Sequence, residues 1–313
     1  MTEKARWTAS DIPCQKGMLV FITGTGGLAY EAALALARAG AEIILAGRNP
    51  SRGKASADRI RASVHGASIG VEQFDLADLS SIAALGSRMR EADRKVDVLI
   101  NNAAVMTVPS RQTTKDGFEL QFGTNHLGHF ALTAHLMPLL RKGPGARVVT
   151  VCALAANMAA IDFEDLQRAR NYRPMSVYGQ SKLANLLFAL ELHRRSRAGN
   201  WGIESIAAHP GLSRTDLSGP RADSRESGES KLPFLLRLLA PLLLQPADRG
   251  ALPVLFAATS PDAVSGHYYG PNGRGERKGL PGTAKIPPAA QDEAVAERLW
   301  KISEQLTHVR LDG

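Results

Sequence analysis

The chain has 313 residues, of which 44% are hydrophobic and 22% charged, a balance that suits a globular enzyme and excludes a disordered or fibrous protein. Its formal net charge of +8 comes from lysines and arginines spread along the chain, with no basic, aromatic-interleaved motif, so nucleic-acid binding is not expected. Two cysteines, Cys14 and Cys152, are too few for a disulfide scaffold, and the N-terminus lacks a charged-then-apolar signal segment, so the expected compartment is the cytoplasm.

In chain order, residues 18–23 (MLVFIT) form an apolar run of buried-strand type. The turn Gly24-Thr25-Gly26-Gly27 then leads into a helical stretch over 28–39, and 42–46 (EIILA) reads as the second strand. Together they make a βαβ unit of about 30 residues. The alternation continues with a helix over 51–65, a strand over 68–74, a helix over 80–92, a strand over 96–101 and a helix over 117–140. A strand over 147–152, a helix over 176–198 and a strand over 203–209 follow. Apolar strands alternating with helices predict an α/β fold, a single-domain doubly wound (Rossmann) parallel sheet with helices on both faces and its ligand at the carboxyl ends of the strands.

No linker or internal repeat divides the chain, so residues 1–313 read as one domain. Around the regular alternation lie an N-terminal extension (1–16), an insertion (154–175), a substrate-side loop or lid (212–246) and a C-terminal extension (270–313). The apolar run at 232–244 is 13 residues long and holds Pro233, Arg237 and Pro241. It falls short of the roughly 20 apolar residues that span a bilayer. Residues 270–288, rich in Gly and Pro, are expected to be irregular, and 291–306 reads as a closing amphipathic helix.

Two local patterns carry chemistry. The small residues of Gly24 to Ala29, placed between strand and helix, allow a backbone to approach a pyrophosphate at a helix N-terminus. Tyr178 and Lys182, four apart on one predicted helix, share a face. An ammonium beside a phenol favours the phenolate, which would bring the tyrosine's pKa down from about 10 and make it an acid/base near neutral pH. His126 and His129 are three apart without a companion carboxylate or cysteine cluster, and packing accounts for them better than a metal.

Taken in order, these motifs and their neighbours resemble the short-chain dehydrogenase/reductase family over residues 15–270. Asn101-Asn102-Ala103-Ala104 is similar to the family's segment after the fourth strand, and Phe74-Asp75-Leu76 to the segment that contacts adenine. Thr124-Asn125-His126-Leu127-Gly128-His129-Phe130 resembles the helix with the catalytic asparagine, here Asn125. His209-Pro210-Gly211 with Thr215 looks like the loop that holds the nicotinamide carboxamide. Within the family the likeness is to the retinol dehydrogenase and protochlorophyllide reductase-like group, through NHLGHFALT, YGQSKLANLLFALEL and the long insertion before Tyr178. Retinol dehydrogenases often carry a membrane anchor, and no such N-terminal helix is expected here.

The resemblance implies Tyr178, Lys182 and Asn125 as catalytic residues. It implies cofactor contacts from Gly24, Thr25, Gly26, Gly27, Leu28, Arg48, Asn49, Asp75, Leu76, Asn102, Ala103, Ala104, Pro210, Gly211 and Thr215, besides Tyr178 and Lys182. Arg48, where an acidic residue would select NAD(H), complements the 2′-phosphate of NADP(H), the favoured cofactor. A homodimer or homotetramer formed through the helices of Asn125 and Tyr178 is also implied.

Two departures stand out. The group has a serine 25 residues before the tyrosine, and here that position is Ala153, preceded by Cys152. Losing one such donor at a developing oxyanion costs about 10² to 10³ in rate. Cys152, a weak donor on the opposite strand face, reads as buried packing, while Ser176 and Asn157 are possible substitutes. The glycine turn is also one residue short, with Ala29 in place of its last glycine. The leading expectation is hydride transfer between NADP(H) and an apolar ketone, aldehyde or alcohol, with Tyr178 as acid/base and Met158, Met175 and residues 232–244 as an apolar wall. Reduction of a C=C or C=N bond, and a non-catalytic cofactor-binding sensor or scaffold, are the alternatives.

Overall fold

A computed structural model describes residues 6–213 and 244–312. Its first half follows the predicted alternation: β1 (Leu19–Thr23), α1 (Leu28–Arg38), β2 (Glu42–Gly47), α2 (Pro50–Ser63), β3 (Ile69–Gln73), α3 (Leu79–Glu91) and β4 (Val98–Asn101). One helical turn, α4 (Leu120–Phe122), precedes α5 (Gly128–Leu140), β5 (Ala146–Val151), α6 (Pro174–Ala198) and β6 (Ile203–Ala208). The chain ends with α7 (Ala247–Thr259), β7 (Tyr268–Pro271), β8 (Pro281–Thr283) and α8 (Glu293–Thr307).

The eight strands form one sheet in the order β3-β2-β1-β4-β5-β6-β7-β8, parallel except for the β7–β8 pair. Period-two alternation in the apolar strands feeds two cores at once. Val20 and Ile22 of β1 pack with Leu36, Ile60 and Leu252 on the α1, α2 and α7 side, whereas Leu19 and Phe21 pack with Ile82, Leu85 and Phe130 on the α3 and α5 side. Trp7 and Ile12 pack on the first of these cores, with Trp7 edge-on to Phe256 at 5.4 Å.

Three expectations are corrected. The helix expected over 117–140 begins only at Leu120, where the Glu119 carboxylate caps the N–H groups of Gln121 and Phe122, and it is interrupted by a π-helical turn, Gly123–Leu127. Helix α7 was not foreseen, because Gly250 and Pro253 break its pattern. Gly250 is needed there, since a Cβ would stand 2.1 Å from the Ser213 hydroxyl, and the apolar face of Leu252, Val254 and Leu255 holds the helix despite the proline. Residues 270–288 are not irregular throughout, because β7 extends the parallel sheet and β8 returns against it.

Helix α8 lies across α5 and α6. Trp300 stacks on Phe188 with ring centroids 5.7 Å apart and meets Phe130 edge-on at 5.1 Å. No helix among the described residues is long and apolar enough to cross a membrane. The 212–246 loop and the 232–244 run lie mostly outside the described residues, as does Thr215.

Candidate active site

The strand ends are tied together by Thr23, the last residue of β1. Its hydroxyl accepts the N–H groups of Asn102 (2.8 Å) and Ala103 (2.9 Å), and its carbonyl accepts the Asn102 side-chain amide (2.9 Å). The same hydroxyl lies 2.9 Å from His129 Nε2, and His129 Nδ1 lies 2.9 Å from the Asn125 carbonyl. A carbonyl can only accept, so Nδ1 carries the hydrogen and Nε2 takes the hydrogen of Thr23. Complete burial holds His129 neutral, pushing its pKa down to about 4. Both ring nitrogens are therefore engaged in linking the glycine turn to Asn125. His126 packs among Phe122, Phe130 and Phe188 and bonds Ser303 at 2.8 Å, as the packing reading expects.

Asn125 sits inside the π-helical turn, a distortion common at functional sites. Its side chain is fully used: Oδ1 accepts the Val105 N–H (2.8 Å), and Nδ2 donates to the Val105 carbonyl (2.9 Å) and the Ser181 hydroxyl (3.0 Å). It joins the segment after β4 to α6. Gly128 lets this helix approach β3's trailing loop, where a Cβ would stand 2.5 Å from the Leu76 carbonyl.

Within the glycine turn Thr25 is buried, its methyl facing Gly47 and Gly53. A Cβ on Gly47 would stand 3.1 Å from the Thr25 methyl, and Ser56 donates to the Thr25 carbonyl at 2.6 Å. Gly24 takes φ +101°, and no side chain caps the N-terminus of α1. A groove of about 340 Å³ opens beside this turn, lined among others by Gly26, Gly27, Tyr30, Ser56, Arg52 and Arg59. Arg59 lies over the Tyr30 ring at 4.3 Å. Arg48 is exposed at the end of β2, whereas the Asn49 side chain caps α2 by accepting the Arg52 N–H (2.9 Å). Asp75 closes its own turn, accepting the Ala77 N–H at 2.9 Å, and Leu76 is buried. The contributions of Arg52 and Arg59 were not read from the sequence, although their spacing of seven on a polar helix puts both on one face.

Tyr178 and Lys182 project from α6 toward the end of β5. Lys182 Nζ donates to the Val151 carbonyl at 2.9 Å and lies 5.9 Å from the centre of the Tyr178 ring. Burial brings the lysine down to about 8 and pushes the Tyr178 hydroxyl above its ordinary value. The sequence reading expected the opposite for the tyrosine. The reason is that burial takes the phenolate out of water, and Cys152 beside it adds to the rise, while the Lys182 ammonium is committed to the Val151 carbonyl. Gly179 brings α6 against the 3₁₀ turn Leu154–Met158, where a Cβ would come within 3.0 Å of the Ala155 carbonyl. The insertion is pinned to the same helix: Gln180 donates to the Leu166 carbonyl (3.0 Å), and Arg168 bridges Gln180 and Asp162.

Ala153 is half-buried at the start of that 3₁₀ turn and leaves it without a side-chain cap. Cys152 is buried, its thiol pointing back to the Thr150 carbonyl at 3.7 Å and pushed up to about 12 by burial. It acts as packing. Ser176 and Asn157 are exposed, and Met158 and Met175 remain 93% and 57% exposed, so any apolar wall they form is a rim rather than a lining.

The turn after β6 is gripped from the C-terminal extension. His209 is fully buried; the Gly211 N–H donates to its Nδ1 (3.2 Å), so its Nε2–H donates to Glu276 (3.1 Å). The other oxygen of Glu276 accepts the Lys285 N–H at 2.8 Å, and these partners hold its carboxylate below the usual range. Gly270 makes room for the imidazole, since a Cβ there would stand 2.0 Å from Nε2. Gly211 takes φ +63° against the Arg277 carbonyl, which also accepts the Leu212 N–H (2.8 Å), and Gln245 donates to the Pro210 carbonyl (2.8 Å). Tyr268 packs on His209 at 5.1 Å, with its buried hydroxyl unpartnered among the described residues. Neither Glu276 nor Tyr268 was read from the sequence. The aromatic pair before Gly270-Pro271 was the available sign of a strand end.

A doubly wound sheet with a glycine turn after β1 and a Tyr-x-x-x-Lys pair beside β5 defines a nucleotide-dependent oxidoreductase, and the short chain dehydrogenase family profile matches residues 18–226; the chain belongs to that family. Human retinol dehydrogenase 13 is 38% identical over 297 residues, covering 93% of this chain and 84% of the relative. Mouse retinol dehydrogenase 12 is 36% identical over 297 residues, covering 94% and 87%. The crystal structure of an uncharacterized protein from Mycobacterium paratuberculosis superposes with a TM-score of 0.80 at 38% identity, over 98% of this chain and 99% of that one.

Proposed function

We propose that this oxidoreductase uses NADP(H), rather than NAD(H), to interconvert an apolar ketone or aldehyde with its alcohol, with Tyr178 as the acid/base. The observation that carries this reading is the placement of Tyr178 and Lys182 together at the end of β5, with Lys182 anchored on the Val151 carbonyl. The retinol dehydrogenases among the relatives support an apolar alcohol or aldehyde as the substrate class.

The residues present fit a dinucleotide: Gly24 in a conformation that L side chains rarely adopt, an uncapped helix N-terminus, and two arginines lining the adjoining groove. When bound, the nicotinamide would supply or accept the hydride. Gly24 to Leu28 would hold the pyrophosphate, Asp75 and Leu76 the adenine, and Asn102, Ala103 and Ala104 the central ribose region. Pro210, Gly211 and Thr215 would hold the carboxamide. Arg48, with Arg52 and Arg59 nearby on α2, would complement the 2′-phosphate that distinguishes NADP(H), while Asn49 serves mainly as a cap. Because burial keeps Tyr178 protonated, it is poised to deliver a proton to a developing alkoxide. Lys182, as an ammonium, favours loss of that proton and would also bind the nicotinamide ribose. Asn125 holds α6 in register with the β4 end, which places the tyrosine and orders the proton path.

A second reading, reduction of a C=C or C=N bond, is favoured by one observation: the serine position is Ala153, and Cys152, Ser176 and Asn157 put no donor beside it. Such a reaction needs no second donor at an oxyanion. The variant Ala153→Ser separates the two. Carbonyl reduction is expected to rise by about 10² to 10³ if only that donor is missing. Turnover of enones or imines by the unaltered protein, with ketones untouched before and after the substitution, would replace the first reading by the second.

A further inference from the structure

We propose that the Tyr268 hydroxyl supplies the hydrogen bond to the substrate oxygen that the serine missing at Ala153 would otherwise donate. The inference rests on the reading that Tyr178 protonates a carbonyl oxygen. Tyr268 stands in β7 opposite Ala207 of β6, which in turn stands opposite Thr150 of β5. Residues in one row of a parallel sheet share a face, and every second residue along a strand returns to it. Tyr268, His209 and Cys152 therefore project on the same side of the sheet, the side of α6. The Tyr268 ring packs on His209 with centroids 5.1 Å apart and belongs to the same apolar cluster as Cys152, Ala156 and Leu183. His209 lies just beyond the end of β6, so the tyrosine leans toward the carboxyl ends of the strands, where Ala153 and Tyr178 are.

The hydroxyl is the group that calls for a ligand. It is buried without a hydrogen-bond partner among the described residues, in a side chain 1% exposed. A buried phenol left unpaired costs stability, and such an exception calls for a bound molecule or a catalytic role. Burial, then Cys152, Glu276 and Tyr178, push its pKa well above the ordinary value, so those three groups stand near it and it keeps a hydrogen to donate. Tyr178 is likewise buried. In an interior that excludes bulk water, a donor aimed at a developing oxyanion is worth most. Other hydroxyl and thiol groups are worse placed. Cys152 turns its thiol back to the Thr150 carbonyl, Ser176 is exposed, and Thr150, whose hydroxyl is also unpartnered, lies two residues before Cys152 inside the strand. The neighbouring His209 and Glu276 have no free donor, since both imidazole nitrogens and both carboxylate oxygens are engaged.

Steady-state reduction of a panel of straight-chain and cyclic aldehydes and ketones by NADPH, in Tyr268→Phe, Ala153→Ser and the double variant, tests this. Tyr268→Phe is expected to lower kcat by about 10² to 10³ with NADPH binding unchanged. Its midpoint of denaturant unfolding should stay the same or rise, because the oxygen removed has no partner to lose. Ala153→Ser should change little in the parent chain, where the donor it adds is already present, and should restore most of the lost rate in the Tyr268→Phe background. A kcat unmoved by Tyr268→Phe, a lowered unfolding midpoint, or a gain of about 10² to 10³ from Ala153→Ser in the parent chain would each overturn the assignment while leaving carbonyl reduction by Tyr178 in place. A parent chain inactive on the whole panel removes that reading and this inference with it.

Discussion

The two ends of the site are held in different ways. At the β1–β4 end, the residues that would meet a dinucleotide are supported by each other: Thr23 binds the Asn102 and Ala103 amides, His129 connects Thr23 to Asn125, and Ser56 fixes Thr25. At the β5–β7 end the supports come from far along the chain. His209 depends on Glu276, the turn after it on Arg277 and Gln245, and the outer side of α6 on Trp300. A motif whose supports lie inside neighbouring motifs is conformationally specified almost locally. One whose supports are remote exists only once the whole fold has formed.

The largest effect should come from the group that both ends serve. Tyr178→Phe removes the ionisable hydroxyl placed beside Lys182 and is expected to lower turnover by about 10² to 10⁴, with NADPH binding, measured by fluorescence titration, essentially retained. Loss of binding and turnover together would mean that the Tyr178 hydroxyl serves to hold the cofactor rather than to move a proton. The next effect is one of pH. Lys182, normally near 10.5, is brought to about 8 by burial. Reductive turnover is therefore expected to decline as pH rises through about 8 and the ammonium is lost. The stability contribution runs the other way. Below about 8 the lysine is charged in both folded and unfolded chains, and the cost of burying that charge is fully present. Between about 8 and 10.5 the unfolded chain holds a proton the folded chain has released, so stability should rise with pH in that window. Lys182→Arg, which stays charged, should remove the limb from the rate profile, and a limb that persists would assign it to another group.

The same contrast sets what could be read from the sequence. Strands β1 to β6 were legible because each is an apolar run bounded by turn residues, and the Tyr178/Lys182 pair because four residues is one helical turn. The π-helical turn around Asn125 was not, since an extra residue in a helix leaves the apolar pattern of 123–140 unbroken. Helix α7 was hidden by Gly250 and Pro253, both tolerated through packing that only the tertiary fold supplies. The pKa of Tyr178 went the other way because spacing shows which charges are close but not how dry the site is. Glu276 and Trp300 reach their partners across 67 and 112 residues respectively, beyond any periodicity.

The smaller predictions test the two kinds of support. Thr23→Val keeps the side chain's shape and removes its oxygen, leaving the Asn102 and Ala103 amides without an acceptor. About 1–3 kcal/mol of stability should be lost for each amide left buried and unpaired, with weaker NADPH binding, both measurable by denaturant unfolding and titration. At the other end, Glu276→Ala leaves the His209 Nε2–H and the Lys285 N–H without acceptors, for a loss of about 1–3 kcal/mol, whereas Glu276→Gln keeps one accepting oxygen and should lose about half as much. The ligand readout separates positioning from mere stability. If His209 places the turn that would hold the nicotinamide, Glu276→Ala should raise the KM for NADPH and Glu276→Gln should largely restore it, with kcat changed less in both. A KM unmoved in Glu276→Ala, despite the lost stability, would show that the turn is set by Gly211 and Gln245 alone and that the C-terminal extension supports the fold without tuning the site.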